Sequence, residues 1–187
     1  EDLGNIRPIL DRLHQQGFSV LAYDYRGYGT SNGVPSESNA YQDADVVYTY
    51  LTKQLKIPAD RTIVYGQSVG SGSATELATR YPVAGLILES AFTSAFRVVV
   101  PFPILPFDKF TNLDKIKRIH CPVLVMHGQA DNTIPIHHGR SLYEAAPNPK
   151  MSLWVADAGH NDLADIAGDR YDRVLLSFRQ LIKTHDR

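Results

Sequence analysis

The chain has 187 residues, a formal net charge of −1 and one cysteine. This length suits a single domain with a substantial core, and the balanced charge gives no basic footprint for nucleic acid. One cysteine excludes an internal disulfide and a cluster of thiolate metal ligands. We therefore expect one domain over residues 1–187 and no nucleic-acid partner.

The amino-terminal part of the chain predicts a helix, a strand and a glycine-rich loop. Apolar residues at helical spacing predict a helix within residues 3–16. The nearly continuous apolar run 18–23 predicts a parallel strand that is buried on both faces, and the loop 24–31 follows it. For Asp24 and Arg26 we expect a structural pair that ties this loop to the sheet.

Short apolar strands then alternate with amphipathic helices. Ser36 or Ser38 can cap the second helix, which Pro58 follows. The alternation predicts an α/β fold, a three-layer sandwich with a mostly parallel sheet. The longest apolar stretch is broken by three prolines, so the sequence predicts no membrane span. The remaining predicted elements are strands at 85–89, 122–126 and 151–155 and a final helix from 169 onward.

A G-x-S-x-G sequence follows the predicted strand 61–65 and precedes a helix. In such a strand–turn–helix the serine lies on a sharp turn with its hydroxyl exposed, so Ser68 is a candidate nucleophile. We expect Gly66 and Gly70 to remove side chains that would collide with the strand and the helix. The N–H of Val69, the first of the helix amides, is a candidate oxyanion-hole donor.

A serine nucleophile needs a base within hydrogen-bond reach and an acid that orients the base. Asp131 follows the strand that ends at residue 126, and His160 follows the strand that ends near residue 155. Together with Ser68 they occur in the order serine, acid, histidine. We assign His160 as the base and Asp131 as the acid.

Other residues compete for these roles. His127 is also near a strand's carboxyl end and is the alternative base, while Asp157 and Asp162 are alternative acids within the loop of the histidine. His127, His137 and His138 suggest a metal, but no carboxylate completes a recognisable zinc spacing. We therefore expect neither a metal site nor a cofactor.

Residues 90–117 break the alternation with a stretch rich in phenylalanine and proline. It is too apolar for an ordinary surface loop and can be a cap or the wall of an acyl pocket. In that case Phe92, Phe96 and Phe102 would bind the acyl chain. The alternative is that these rings fill the core.

The chain resembles the α/β-hydrolase superfamily, and within it the abhydrolase-domain branch that includes the serine depalmitoylases and their bacterial relatives. That resemblance implies hydrolysis of acyl esters or thioesters through an acyl-enzyme, with a small-molecule or lipidated acyl substrate. It assigns the nucleophile to Ser68, the acid to Asp131, the base to His160 and one oxyanion donor to Val69. The matching segments are 23–31, 65–70, 90–97, 108–110, 122–131 and 159–162.

The resemblance also implies strands upstream of residue 1 and a loop that supplies the second oxyanion donor. Without them a slot is expected between the predicted strand 18–23 and the strand that leads to Ser68, with unpaired backbone groups on both sides. We therefore expect the chain to be an amino-terminally incomplete hydrolase fold.

Two further functions fit the same residues. A peptidase similar to prolyl oligopeptidase shares the order serine, acid, histidine. A binding module on a hydrolase scaffold would keep the fold without catalysis. The apolar stretch 90–117 favours an acyl substrate over a peptide.

Overall fold

The computed structural model describes residues 3–95 and 108–185. Within these ranges a four-stranded parallel sheet has its strands in chain order, from β1 to β4. The strands are β1 (Ile63–Gln67), β2 (Gly85–Glu89), β3 (Val123–Gly128) and β4 (Lys150–Val155).

Helices cover both faces of the sheet. A π-helical turn at Tyr50–Gln54 extends the second helix. In the described part of the chain, none of the helices is both long enough and apolar enough to cross a bilayer. The helices are α1 (Arg7–Gln15), α2 (Glu37–Thr49), α3 (Gly70–Arg80), α4 (Asn112–Ile116), α5 (His137–Ala145), α6 (Leu163–Ala167) and α7 (Asp169–His185).

The core lies in two layers, one on each face of the sheet. Leu86 and Leu88 of β2 pack in a cluster with Ala74 of α3, whereas Ile87 packs in a second cluster with Phe178 of α7. Alternate side chains of a strand point to opposite faces, so a strand that is apolar throughout needs helices on both. The three-layer α/β sandwich with a parallel sheet is therefore confirmed.

The start of α2 also agrees with the sequence. Ser36 has an extended backbone, and its hydroxyl accepts a hydrogen bond from the N–H of Asn39 at 3.1 Å. This bond satisfies one of the first helix amides, which have no partner inside the helix.

The predicted strand over residues 18–23 is wrong. These residues pair with no strand in the described part of the chain, and Val20 and Leu21 are each 40% exposed. Among residues 3–95 and 108–185, β1 is an edge strand and β2 is its only partner. An apolar run becomes a strand only where a neighbouring backbone offers hydrogen-bond partners, which the run itself does not determine.

The expected pairing of Asp24 with Arg26 is also wrong. Nε of Arg26 lies 2.6 Å from Oδ1 of Asp43 on α2, and the backbone N–H of Arg26 donates to Oδ2 of the same carboxylate. Asp24 instead accepts from the N–H of Leu3 at 3.0 Å. The glycine-rich loop is thus tied to α2, because the helix brings a carboxylate closer than the chain neighbour does.

Arg12 joins α1 to the carboxyl-terminal helices. Its Nε lies 2.8 Å from Oδ1 of Asp172, and its two Nη atoms donate to the carbonyls of Ala164 and Gly168. The guanidinium also lies over the ring of Tyr171, 5.2 Å from its centroid. The Arg12 and Asp172 side chains are only 21% and 24% exposed, so water competes weakly for these bonds.

We expect Arg12→Ala to lower the free energy of unfolding by about 2–3 kcal/mol, because hydrogen bonds to charged groups contribute more than neutral ones. Urea denaturation measures the loss. Arg7→Ala is the matched control on the same helix, since its side chain is 81% exposed and lies 3.7 Å from Asp11; we expect a change below about 0.5 kcal/mol. Equal losses in the two variants would contradict this account.

Candidate active site

Ser68 makes the turn from β1 into α3 in a single residue. Its φ is 50°, in the left-handed region that residues other than glycine rarely adopt. Its N–H donates to the carbonyl of Glu89 at 3.0 Å, and its carbonyl accepts from the N–H and the hydroxyl of Ser71 at 3.0 and 2.6 Å. Hydrogen bonds on both sides thus hold the strained backbone in place.

Gly66 allows β1 and α3 to approach each other closely. A Cβ added there would lie 2.6 Å from the Cβ of Ala74 and 2.7 Å from the Cα of Ser71. At Gly70 an added Cβ would meet nothing nearer than the hydroxyl of Tyr25, at 3.9 Å. The expected steric role is therefore confirmed for Gly66 and wrong for Gly70.

The structure brings Ser68, His160 and Asp131 together. Nε2 of His160 lies 2.9 Å from Oγ of Ser68, and Nδ1 lies 2.8 Å from Oδ2 of Asp131. Because a carboxylate can only accept, the proton of the neutral imidazole belongs on Nδ1. Nε2 is then free to accept the hydroxyl proton of Ser68.

The carboxylate of Asp131 is fixed by its own loop. The side chain is buried, and its Oδ1 accepts from the N–H groups of Thr133 and Ile134 at 2.9 and 2.8 Å. The second oxygen has Nδ1 of His160 as its nearer ring partner, at 2.8 Å, and Nε2 of His127 at 3.4 Å. These bonds hold the carboxylate in the orientation in which it contacts the imidazole of His160.

The competing residues make contacts of their own. His127 is fully buried on β3, and its Nε2 lies 2.8 Å from the carbonyl of Ile134 and 3.4 Å from Oδ2 of Asp131. Burial lowers the pKa of His127, which favours the neutral ring. Asp162 accepts from the N–H of Gly159 at 2.6 Å, and Asp157 is exposed. His127 and Asp162 thus shape the loops that present Asp131 and His160.

The histidines outside this trio gather no metal ligands. The rings of His137 and His138 stack with centroids 4.2 Å apart, and Nδ1 of His138 lies 2.9 Å from Oγ1 of Thr93. Among the residues that the structure describes, no group of three or more histidine, cysteine or acidic side chains could hold a metal ion.

Val69 precedes α3, and its backbone N–H has no hydrogen-bond partner among the described residues. An amide without an acceptor at the start of a helix can bind a negatively charged oxygen. Its role in an oxyanion hole stays a prediction.

The structure describes only part of the proposed acyl-binding stretch. Phe92 is buried, and its ring packs edge-on against Phe110 with centroids 6.3 Å apart. Phe96 and Phe102 lie outside the described residues. The role of residues 90–117 as a cap or pocket wall stays a prediction.

Sequence reasoning missed Glu89, which ends β2 beside the turn of Ser68. Its side chain is 3% exposed and accepts from the hydroxyls of Tyr65 and Tyr171 at 2.7 and 2.8 Å. Burial raises the pKa of Glu89, and the hydrogen bonds from both tyrosines oppose that rise. An acidic residue that ends an otherwise apolar buried strand was the signal available in the sequence.

Comparison with known proteins gives both sequence and fold relatives. Residues 1–113 match the Hydrolase_4 family, described as serine aminopeptidase, S33. Alpha/beta hydrolase domain-containing protein 17B of Xenopus laevis is 42% identical over 158 residues, which are 83% of this chain and 54% of that protein. Protein 17C of Mus musculus is 42% identical over 166 residues, 88% of this chain and 50% of that protein. The chain thus spans about half the length of these curated relatives.

A solved structure shares the fold. Monoacylglycerol lipase from Paleococcus ferrophilus superposes with a TM-score of 0.74, and the aligned region covers 98% of this chain and 90% of the lipase chain. The two sequences are 19% identical, so this likeness concerns the fold alone.

We expect Gly66→Ala to lower the free energy of unfolding by about 2–3 kcal/mol, since the added methyl group has no space between β1 and α3. Gly70→Ala is the matched control, and the same urea titration should find it unchanged or slightly more stable, because alanine favours the helix. Equal destabilisation of both variants would show that the close approach of β1 and α3 is not the reason that position 66 needs glycine.

Proposed function

From the premise that the chain belongs to the Hydrolase_4 family of α/β-hydrolases, described as serine aminopeptidase, S33, we propose that it is a serine hydrolase of acyl esters or thioesters. The observation that carries this proposal is the hydrogen-bonded chain from Ser68 through His160 to Asp131, with links of 2.9 and 2.8 Å. A serine hydroxyl is a weak nucleophile at neutral pH, and this arrangement gives it a base at the required distance.

In the first half of the reaction, Oγ of Ser68 attacks the acyl carbonyl while Nε2 of His160 takes its proton. Asp131 keeps the proton on Nδ1 and stabilises the imidazolium. The negative oxygen of the tetrahedral intermediate accepts from the N–H of Val69. His160 then gives its proton to the leaving alcohol or thiol, and the acyl group stays on Ser68.

In the second half, water replaces the leaving group. His160 takes a proton from water as it attacks the acyl carbonyl, and then returns the proton to Oγ of Ser68. The acid is released, and the enzyme regains its starting state. One set of side chains thus serves both halves of the reaction.

Two considerations support an ester or thioester as the substrate. The sequence resembles the serine depalmitoylase branch, whose members act on acyl thioesters. In addition, an alcohol or thiol leaves more readily than an amine, so these substrates require less help from the general acid. A lipidated protein or a small acyl ester would each meet these conditions.

The description of the matching family favours a second candidate, an aminopeptidase. The same three residues would then attack a peptide carbonyl next to a free amine. Parallel assays with p-nitrophenyl acyl esters and aminoacyl p-nitroanilides separate the two activities. Turnover of the anilides alone would replace the esterase proposal by the peptidase.

We expect Ser68→Ala, His160→Ala and Asp131→Asn each to lower kcat for p-nitrophenyl esters by about 10⁴-fold, because each removes a part of one proton-transfer unit. The Ser68→Ala/His160→Ala double variant should lose little more than either single variant. Steady-state rates of the purified folded proteins measure these effects.

The matched control for this series is His120→Ala, which removes an exposed histidine and should keep the wild-type rate. A folded wild-type protein that cleaves neither substrate would support the binding-module alternative. Multiplicative losses in the double variant would mean that Ser68 and His160 do not act as a unit.

A further inference from the structure

A carboxyl group lies buried beside the nucleophile turn with no role in the steps above. Glu89 ends β2, where every residue is buried, and its own side chain is 3% exposed. Removing a carboxylate from water costs several kcal/mol unless hydrogen bonds and opposite charge compensate. The surroundings of Glu89 supply the hydrogen bonds, and the opposite charge appears when His160 is protonated.

Three donors meet the two oxygens of this carboxyl group. Oε2 lies 2.7 Å from the hydroxyl of Tyr65 and 2.8 Å from that of Tyr171, while Oε1 accepts from Nε2 of Gln67 at 3.2 Å. Burial raises the pKa of both tyrosines, so they keep their protons and can donate. These three bonds favour the ionised form of Glu89, in opposition to burial, which raises its pKa.

The same residue contacts the last residue of β1 and the nucleophile that follows it. Its carbonyl accepts from the N–H of Ser68 at 3.0 Å, and its side chain holds the amide of Gln67, its partner in the β1–β2 register. The next residue, Ser90, donates its hydroxyl to the carbonyl of His160 at 3.5 Å. Thus the end of β2 contacts the backbones of both Ser68 and His160.

Charge connects Glu89 to His160 as well. When His160 is protonated, its positive charge lowers the pKa of Glu89, in opposition to the larger effect of burial. Such coupling is reciprocal, so an ionised Glu89 stabilises the imidazolium that forms when Ser68 attacks.

Few other ionisable groups face this carboxylate. Tyr65 approaches from β1, Tyr171 from α7 and His160 from the loop after β4, while Arg12 of α1 lies over the ring of Tyr171. From β3, its partner in the strand register is the apolar Met126. Of these groups, His160 is the one that gains and loses a proton in the proposed reaction. Its own nearest charged neighbour is the carboxylate of Asp131, 2.8 Å from Nδ1.

We propose that Glu89 is a positioning residue for the serine hydrolase reaction: it fixes the turn of Ser68, and its buried charge stabilises the protonated form of His160. This inference rests on the proposed function. It predicts that removing the charge of Glu89 changes how the reactivity of Ser68 depends on pH. A purely structural role would leave that pH dependence unchanged.

The test measures the rate constant with which a fluorophosphonate probe labels Ser68, as a function of pH. Glu89→Gln keeps the size of the side chain and removes its charge. We expect the high-pH plateau to fall about three- to tenfold, equivalent to one pKa unit of charge stabilisation or less. The acid limb should move to lower pH, since Glu89→Gln removes a negative charge that favours the imidazolium.

Two further variants test the role of the charge. Tyr171→Phe removes a hydrogen bond that lowers the pKa of Glu89, so its acid limb should move in the same direction as that of Glu89→Gln, but by less. Glu76→Gln removes another half-buried carboxylate. Glu76 lies on α3 and pairs with Lys115 of α4, so this variant should leave the whole pH profile unchanged. If Glu89→Gln does not fold, Glu89→Met provides a second uncharged side chain of similar size.

The outcomes distinguish this inference from the function on which it rests. A wild-type protein that the probe does not label would overturn both. Normal wild-type labelling with an unmoved acid limb in the folded Glu89 variant would overturn the role of Glu89 alone. The same shift in Glu76→Gln would also overturn it, because the loss of any carboxylate would then explain the result.

Discussion

Strand β1 and helix α3 approach so closely at Gly66 that one added carbon atom would lie 2.6 Å from the Cβ of Ala74. The chain must therefore reverse within a single residue, and Ser68 does so with a φ of 50°. Hydrogen bonds from Ser71 and to Glu89 hold that backbone in place. Such strain persists only where the surroundings determine the conformation, as the packed ends of β1, β2 and α3 do here.

The parallel sheet brings the other site residues to the same place. All carboxyl ends of parallel strands lie at one edge, so the residues after β1, β3 and β4 can meet although they are far apart in sequence. Ser68, Asp131 and His160 follow these three strands in turn. The intervening β2 ends in Glu89, whose backbone and side chain contact the turn of Ser68.

The sequence predicted most reliably what depends on local chemistry. The strand at residues 85–89 was predicted with its observed bounds, because a short run that is apolar up to its last residue favours a buried parallel strand. The sequence also narrowed the cap of α2 to Ser36 or Ser38, and Ser36 is the cap in the structure. The order of Ser68, Asp131 and His160 predicted a group of residues that the fold brings into hydrogen-bond contact.

Features that depend on neighbours distant in sequence could not be read. The apolar run 18–23 lacks a strand partner in the described residues, and Arg26 pairs with Asp43 because α2 brings that carboxylate near. The free space at Gly70 is equally a property of packing. Glu89 gave a signal, but its three hydrogen-bond donors are two side chains of β1 and one of the carboxyl-terminal helix α7.

The most direct test of the account is to identify the side chain that carries the acyl group during turnover. A p-nitrophenyl ester acylates quickly because its leaving group is good, so acid quenching followed by peptide mass spectrometry can capture the intermediate. The account predicts one acyl group on the peptide that contains Ser68, and none in Ser68→Ala. An acyl group on another side chain, or an equal amount in Ser68→Ala, would contradict it.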